Sequence, residues 1–219
     1  MRLIIFDVDG TLVDSQNFIV EAQKRAFLSL GMQPATGERA LSIVGLSLDE
    51  AFTHLMDGDA SKAPALSNAY RQAWQVMRHE PGYEDALYDG AKQAVEHLAR
   101  QPDTMLGIAT GKSVRGVQHL FDQCGWHDLF VTVQTSDHNP SKPAPDMILR
   151  ALEETGVDPA ATVMIGDTSF DMAMARSAGV NAIGVSWGYH PHEDLRKAGA
   201  KIIVDSFADL LHQLDAPHA

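Results

Sequence analysis

The first fifteen residues, 1-MRLIIFDVDGTLVDS-15, decide how the rest of the chain is read. Residues 3–6 form an apolar run that meets acid at once, too short for a membrane span or for the apolar region of a signal peptide. Such a run reads as a β-strand buried on both faces. Asp7, Val8, Asp9, Gly10 and Thr11 follow it. Strand alternation sends Asp7 and Asp9 to one side and Val8 to the other, so two carboxylates share one place. Taken alone, Asp9 and Gly10 also fit a simple turn.

Working outward, short β-branched apolar runs recur at 105–109, 130–133, 163–165, 182–185 and 202–204. Helical stretches lie between them, at 114–123 before Gly125, 146–155 before Gly156 and 171–178 before Gly179. Strands alternating with glycine-stopped helices predict an α/β fold with a doubly wound parallel sheet. One region departs from this rhythm: residues 17–82 have helical periodicity and no convincing strand, which reads as a helical insertion. Within it, residues 47–50 (Ser-Leu-Asp-Glu) read as a capping box opening a helix that carries Ala51, Phe52 and Leu55. Tyr70, Trp74 and Met77 mark a second apolar face, assigned to packing with no ligand role. The tail after Leu214 reads as frayed.

A chain of 219 residues is long enough for one large α/β domain or a core with a modest insertion. Seventeen Lys and Arg stand against 29 Asp and Glu, a net charge of −12 that disfavours nucleic acid and anionic membranes as partners. Any phosphate-binding function therefore needs locally placed cations. Cys124, the single cysteine, excludes an intramolecular disulfide, and the repeated cysteine pairs of a structural zinc site are missing. Both points fit a reducing compartment, and a cytoplasmic location is expected.

Ligands of open α/β sheets collect at the carboxyl ends of the strands. Thr110, Gly111 and Lys112 follow the second run, residues 141–146 with Lys142 follow the third, and residues 166–171, including Gly166, Asp167, Thr168 and Asp171, follow the fourth. Each fragment has a plain alternative. Thr168 and Asp171 make a helix cap, a role compatible with a catalytic one, and Lys142 alone would be a solvated surface charge. Gly111, Lys112 and Ser113 look like the end of a nucleotide-binding P-loop, which is rejected because position 106 is Leu where that motif needs Gly. His190 and His192 flank Pro191 without a third ligand nearby and read as solvated loop residues. Four polar clusters at strand ends, in this order, outweigh the plain alternatives that each has alone.

That ordered set resembles the haloacid dehalogenase superfamily, whose phosphatases show DxDGT, a strand-end Ser or Thr, a Lys and GDxxxD. The matching positions are residues 7–11, Thr110, Lys142 and residues 166–171, and the similarity runs from residue 3 to residue 188. The insertion is similar to the small helical cap of the subfamily containing phosphoglycolate phosphatase, β-phosphoglucomutase and bacterial pyrophosphatases. Residues 184–189 (Gly-Val-Ser-Trp-Gly-Tyr) look like the phosphoglycolate phosphatase group.

The resemblance implies a Rossmann-like catalytic core at 1–15 and 84–219 with a helical cap at 16–83. It implies Asp7 as a nucleophile that forms an aspartyl-phosphate, and Asp9 as the acid that protonates the leaving oxygen and later takes a proton from water. Mg2+ would be held by Asp7, Asp167 and the backbone carbonyl of Asp9, with Asp171 bracing the site. Thr110 and Lys142 would receive the phosphate, and backbone groups near Val8, Asp9, Gly10 and Gly111 would complete the cradle. Gly45, Leu46 and Ser47 lie where related caps place a substrate-specificity loop. The expected function is a magnesium-dependent phosphatase acting on a small phosphorylated metabolite, with phosphoglycolate leading and pyrophosphate or a sugar phosphate behind it. A phosphomutase would keep the same residues. Asp9 argues against a dehalogenase, and the intact set of Asp7, Asp9, Lys142 and Asp167 argues against a non-catalytic binding module. Either a monomer or a homodimer is compatible with the sequence.

Overall fold

The structure, a computed structural model, describes residues 1–80 and 86–215. Strand β1 (Arg2–Phe6) is followed by four helices, α1 (Gln16–Ser29), α2 (Gly37–Leu41), α3 (Leu48–Leu55) and α4 (Ala63–Met77). Helix α5 (Ala91–Ala99) then leads into β2 (Thr104–Thr110), α6 (Val114–Cys124), β3 (Phe130–Thr135), α7 (Asp146–Thr155) and β4 (Thr162–Gly166). The chain closes with α8 (Ser169–Ala178), β5 (Asn181–Val185), α9 (His192–Ala198), β6 (Ile202–Val204) and α10 (Phe207–Asp215).

The strands form one parallel sheet in the order β3-β2-β1-β4-β5-β6. Alternation along β1 explains why its sequence is apolar throughout. Ile4 and Phe6 point into a core shared with α5, α6 and α10, whereas Leu3 and Ile5 point into a second core shared with α7 and α8. The chain steps from β1 to β2 and β3 on one side, then returns to lay β4, β5 and β6 on the other. Its winding thus reverses between β1 and β4, and a crevice opens there at the carboxyl ends of the strands. Phe6 pairs with both Ile108 and Ile165, which brings the residues after β1 and β4 to one level.

Two differences from the sequence reading have clear causes. Strand β3 is not buried on both faces: it lies at the sheet edge and exposes Val131 and Val133. Asp215 is not frayed, because it ends α10 and pairs with Arg2 of β1; residues 216–219 of the expected tail lie outside the described residues. The expected domain boundary at 83/84 also lies outside them.

Helices α1, α3 and α4 pack around an apolar cluster of their own that includes Ala26, Phe27, Phe52, Leu55 and Leu66. Phe52 stands at its centre, 1 % exposed, with ring contacts to Phe27 at 5.9 Å and Tyr70 at 6.0 Å. Edge-on contacts of this kind add to the large apolar area an aromatic ring buries. Ser47 does precede α3 in extended conformation, yet its side chain makes no capping bond, so the capping box is absent; Asp49 instead accepts from Ser67 of α4. Phe52→Ala is expected to lower unfolding stability by about 3–5 kcal/mol, the range for emptying a buried aromatic site, as measured by denaturant titration followed by far-UV circular dichroism. A loss below about 1 kcal/mol would mean that the helical layer does not depend on this ring.

Candidate active site

The reversal of winding puts Asp7 and Asp167 side by side. The amide of Asp7 donates to the carbonyl of Ile165 at 2.9 Å, and Asp167 begins the turn after β4. Asp171 joins them from the first turn of α8, and one oxygen of each of the three carboxylates lies within 4.8 Å of the others. All three are buried. The expected Thr168–Asp171 cap is present in both directions: the Thr168 hydroxyl accepts from the Asp171 amide, and Asp171 Oδ2 accepts from the Thr168 amide at 3.0 Å. Asp171 Oδ1 accepts from the Lys142 ammonium at 2.6 Å. Both oxygens of Asp171 are therefore committed to protein donors, which suits a bracing role.

Lys142 arrives on the segment between β3 and α7 and is fully buried, the opposite of the solvated surface charge that its residue type alone suggests. Its ammonium also lies 3.0 Å from Asp7 Oδ2. That oxygen has no aligned hydrogen-bond donor, whereas Asp7 Oδ1 accepts from the Val8 amide at 2.7 Å. Burial is the largest cause that raises the Asp7 carboxyl, which Lys142 counters and Asp171 reinforces, to a value of about 7. Asp167 is pushed well above the ordinary carboxylate range by burial and then by Asp7 and Asp171. Lys142 is raised because the two carboxylates outweigh its own burial.

Asp167 is held by two donors, the Thr11 hydroxyl at 2.9 Å and the Tyr189 amide at 2.9 Å. The chain crowds in to make these contacts. A Cβ at Gly10 would fall 2.2 Å from Asp167 Oδ2, and one at Gly188 would fall 2.1 Å from Asp167 Cβ, so neither position can carry a side chain. Gly10 directs its amide to the carbonyl of Val13 at 2.9 Å, and the Val8 amide is engaged by Asp7. Neither of these two expected cradle amides faces an open site. Thr110, buried at the end of β2, accepts the Lys112 amide at 3.1 Å and keeps its hydroxyl proton for another acceptor.

The donor set fits a hard divalent cation. Asp7, Asp167 and Asp171 each bring a buried carboxylate oxygen within 4.8 Å of the others, and these three acids share one ammonium, that of Lys142, so acidic groups outnumber the local cation by two.

Asp9 sits apart from this cluster with its own partners. Its Oδ1 accepts from the Ser15 hydroxyl at 2.7 Å and from the Lys112 ammonium at 2.9 Å, while Ser15 also contacts the Tyr189 hydroxyl. Lys112 lies over the Trp74 ring of α4, 5.3 Å from its centre. Sequence reasoning dismissed Lys112 along with the P-loop and gave Trp74 only a packing role; both line the cavity, of about 480 Å3, that holds Asp7, Asp9 and Thr110. Its remaining walls include Gly45, Leu46 and Ser47 from the loop before α3. Three contacts dock that loop on the core. The Ser47 amide donates to the Ser141 hydroxyl at 2.8 Å. Gly111 lies against the carbonyls of Gly45 and Leu46, where a Cβ would come to 2.7 and 2.8 Å. His190 lies 3.2 Å from the carbonyl of Ser42, while its Nδ1 accepts from the Ser169 amide. His190 is thus not a solvated loop residue, and burial lowers its pKa. His192 opens α9, exposed. The missed residues Thr11, Ser15, Ser141 and Tyr189 are ordinary polar types whose value comes from distant partners.

Known proteins resemble the chain along nearly its whole length. The family model for haloacid dehalogenase-like hydrolases matches residues 4–185. The "Probable phosphatase IndB" of Dickeya dadantii is 35 % identical, over 95 % of this chain and 91 % of its own length. A phosphoglycolate phosphatase of Chromobacterium violaceum is 32 % identical, over 96 % and 95 %. Among solved structures, a hydrolase from Pseudomonas syringae superposes with a TM-score of 0.87 at 26 % identity, covering 100 % of both chains. The chain belongs to the haloacid dehalogenase-like hydrolases.

Because the ionised forms of Asp7 and Asp167 are disfavoured by folding, the unfolded chain releases these protons first. Their contribution to the stability of the metal-free protein therefore falls as pH rises from the ordinary value of 3.8 through about 7. Asp167→Asn removes one charge while the amide can still accept from Tyr189 and donate to Thr11. The variant is expected to melt above the wild type in chelator, by a margin that widens from acid to neutral pH in a thermal-shift series, and to gain nothing from added Mg2+. A variant that melts lower at neutral pH would mean the three carboxylates do not strain the fold.

Proposed function

We propose that the chain is a magnesium-dependent phosphatase that hydrolyses a small phosphorylated metabolite, phosphoglycolate-like, through an aspartyl-phosphate on Asp7. The observation that carries this reading is Asp7 Oδ2, a buried carboxylate oxygen without a hydrogen bond, 3.0 Å from a buried ammonium and on the wall of a cavity. Oδ2, which carries no aligned donor, keeps a lone pair for attack, and the Val8 amide on the other oxygen fixes its direction. The similarity to named phosphatases supports the same reaction class.

In the first step Asp7 Oδ2 attacks phosphorus in line with the leaving oxygen, and Asp9 donates a proton to that oxygen as its bond breaks. Lys112 and Ser15 hold Asp9 at its post through a shared oxygen. Lys142 offsets charge on the transferring phosphoryl group, and the Thr110 hydroxyl donates to one of its oxygens. In the second step Asp9, now ionised, takes a proton from water, whose oxygen attacks phosphorus and releases Asp7. Asp7, Asp167 and the Asp9 carbonyl would hold Mg2+, with Asp171 fixing Lys142 and the α8 turn behind them. Bound there, the ion adds positive charge against the phosphoryl oxygens. Residues 16–83, whose described part is helical, act as a cap over the cavity, and the docked loop at 45–47 excludes water from it.

The test is release of inorganic phosphate from p-nitrophenyl phosphate and from phosphoglycolate, with Mg2+ or with chelator. Turnover is expected only with metal, and its absence from the pure protein in both conditions would overturn the phosphatase reading. Asp7→Asn should reduce phosphate release to background while the melting profile stays cooperative. Asp9→Ala should cost about 10²–10⁴-fold with phosphoglycolate and less with the activated aryl ester; equal losses on the two substrates would remove Asp9 from the acid role.

A further inference from the structure

Three arginines line the same cavity: Arg71 and Arg78 from the α4 side, and Arg115 from the first turn of α6. Arg71, Trp74 and Arg78 are spaced three and four residues apart, so they form one stripe facing the cavity. Arg78 and Arg115 also line an adjoining depression, which places them at the mouth, where the helical layer meets the core. Among the described residues, none of the three cavity arginines pairs with a carboxylate, nor do Arg150, Arg176 and Arg196, which lie outside the cavity, whereas Arg2, Arg25, Arg39 and Arg100 do; what sets the three apart is that they share one cavity. The cavity's outlying acids are engaged elsewhere: Asp49 with the Ser67 hydroxyl, and Asp137 with the Val114 amide at 2.8 Å. In a chain of net charge −12, three guanidinium groups lining one cavity without acid partners concentrate positive charge where an anion would meet it. Arg115 is also placed unfavourably, since a cation in the first turn of a helix opposes its dipole.

We infer that Arg71, Arg78 and Arg115 form a second anion subsite, so that the preferred substrates carry, besides the phosphate that is cleaved, a carboxylate or second phosphate on the leaving group. This rests on the phosphatase reading and specifies the leaving group. The cavity has room for such a group: at about 30 Å3 per water its volume holds roughly sixteen waters, several times the bulk of one phosphate. Guanidinium forks match both carboxylate and phosphate oxygens. An anion held between Arg78 and Arg115 also relieves their repulsion and ties the α4 side of the opening to the core side.

The experiment compares kcat/KM with Mg2+ for a matched set of esters: phosphoglycolate and 3-phosphoglycerate for a second carboxylate, fructose 1,6-bisphosphate for a second phosphate, glycerol 1-phosphate as neutral and phosphoethanolamine as cationic. Wild type is expected to favour at least one anionic ester over glycerol 1-phosphate, and the best of them identifies carboxylate or phosphate as the anion. Arg78→Met or Arg115→Met should lower that ratio by roughly ten- to a hundredfold, the effect of losing one charge-assisted hydrogen bond, mainly through KM. Arg115 is exposed and Arg78 half-buried, so Arg115→Met is the variant that leaves the packing intact. Arg115→Glu should shift preference toward phosphoethanolamine. Turnover of all five esters with a ratio that the variants leave unmoved would overturn the second subsite and leave the phosphatase reading standing. Turnover of none by the wild type would overturn the phosphatase reading, and the subsite with it.

Discussion

One buried ammonium lets three carboxylates share the end of the sheet. Lys142 stands 3.0 Å from Asp7 and 2.6 Å from Asp171, with no solvent on any of the three, and Asp167 completes the cluster. Breaking such a pair from one side leaves a charge in a dry interior, which costs about 3–5 kcal/mol. The contact joins three separate parts of the chain: the end of β1, the segment before α7 and the first turn of α8. Sheet order brings these parts close, and the ion pairs fix them to within an atom's width. In the proposed reaction the same ammonium also faces the phosphoryl group, so one residue both reconciles the acids with burial and offsets the charge of their substrate.

Much of this was legible from sequence because parallel sheets write their sites at strand ends. Asp7 and Asp9, Thr110, Lys142 and Asp167 each follow an apolar run, and the structure brings all five to one cavity or its floor. What escaped notice has a common physical cause. Lys112, Ser15 and Tyr189 matter only through partners 103, 6 and 174 positions away, and no local pattern marks such contacts. Ser47 has the residue type and backbone conformation of a helix cap, but its part in docking the loop falls to its amide, which is invisible in residue identity. His190 is polar and next to proline, features of a loop, and its burial depends on a loop of the helical insertion arriving from 148 residues away.

The proposed acid and the helical layer are linked by shared residues. Lys112 pairs with Asp9 on one side and lies against Trp74 on the other, so the geometry of Asp9 is sensitive to where α4 sits. Ser141, which receives the amide of the docked loop, is the immediate neighbour of Lys142. The position of the helical layer thus bears on both Asp9 and Lys142, the acid and the cation of the proposed reaction.

Gly111 sets where this architecture is free to diversify. With the carbonyls of Gly45 and Leu46 against its Cα, the position tolerates no side chain while the loop is docked. The floor of the cavity is therefore mutationally rigid, whereas the exposed stripe of α4, with Arg71 and Gln75, can change residue by residue without disturbing a packed neighbour. New substrate ranges on this scaffold, whether by drift or in a directed library, should come from that stripe, with the chemistry beneath it left untouched.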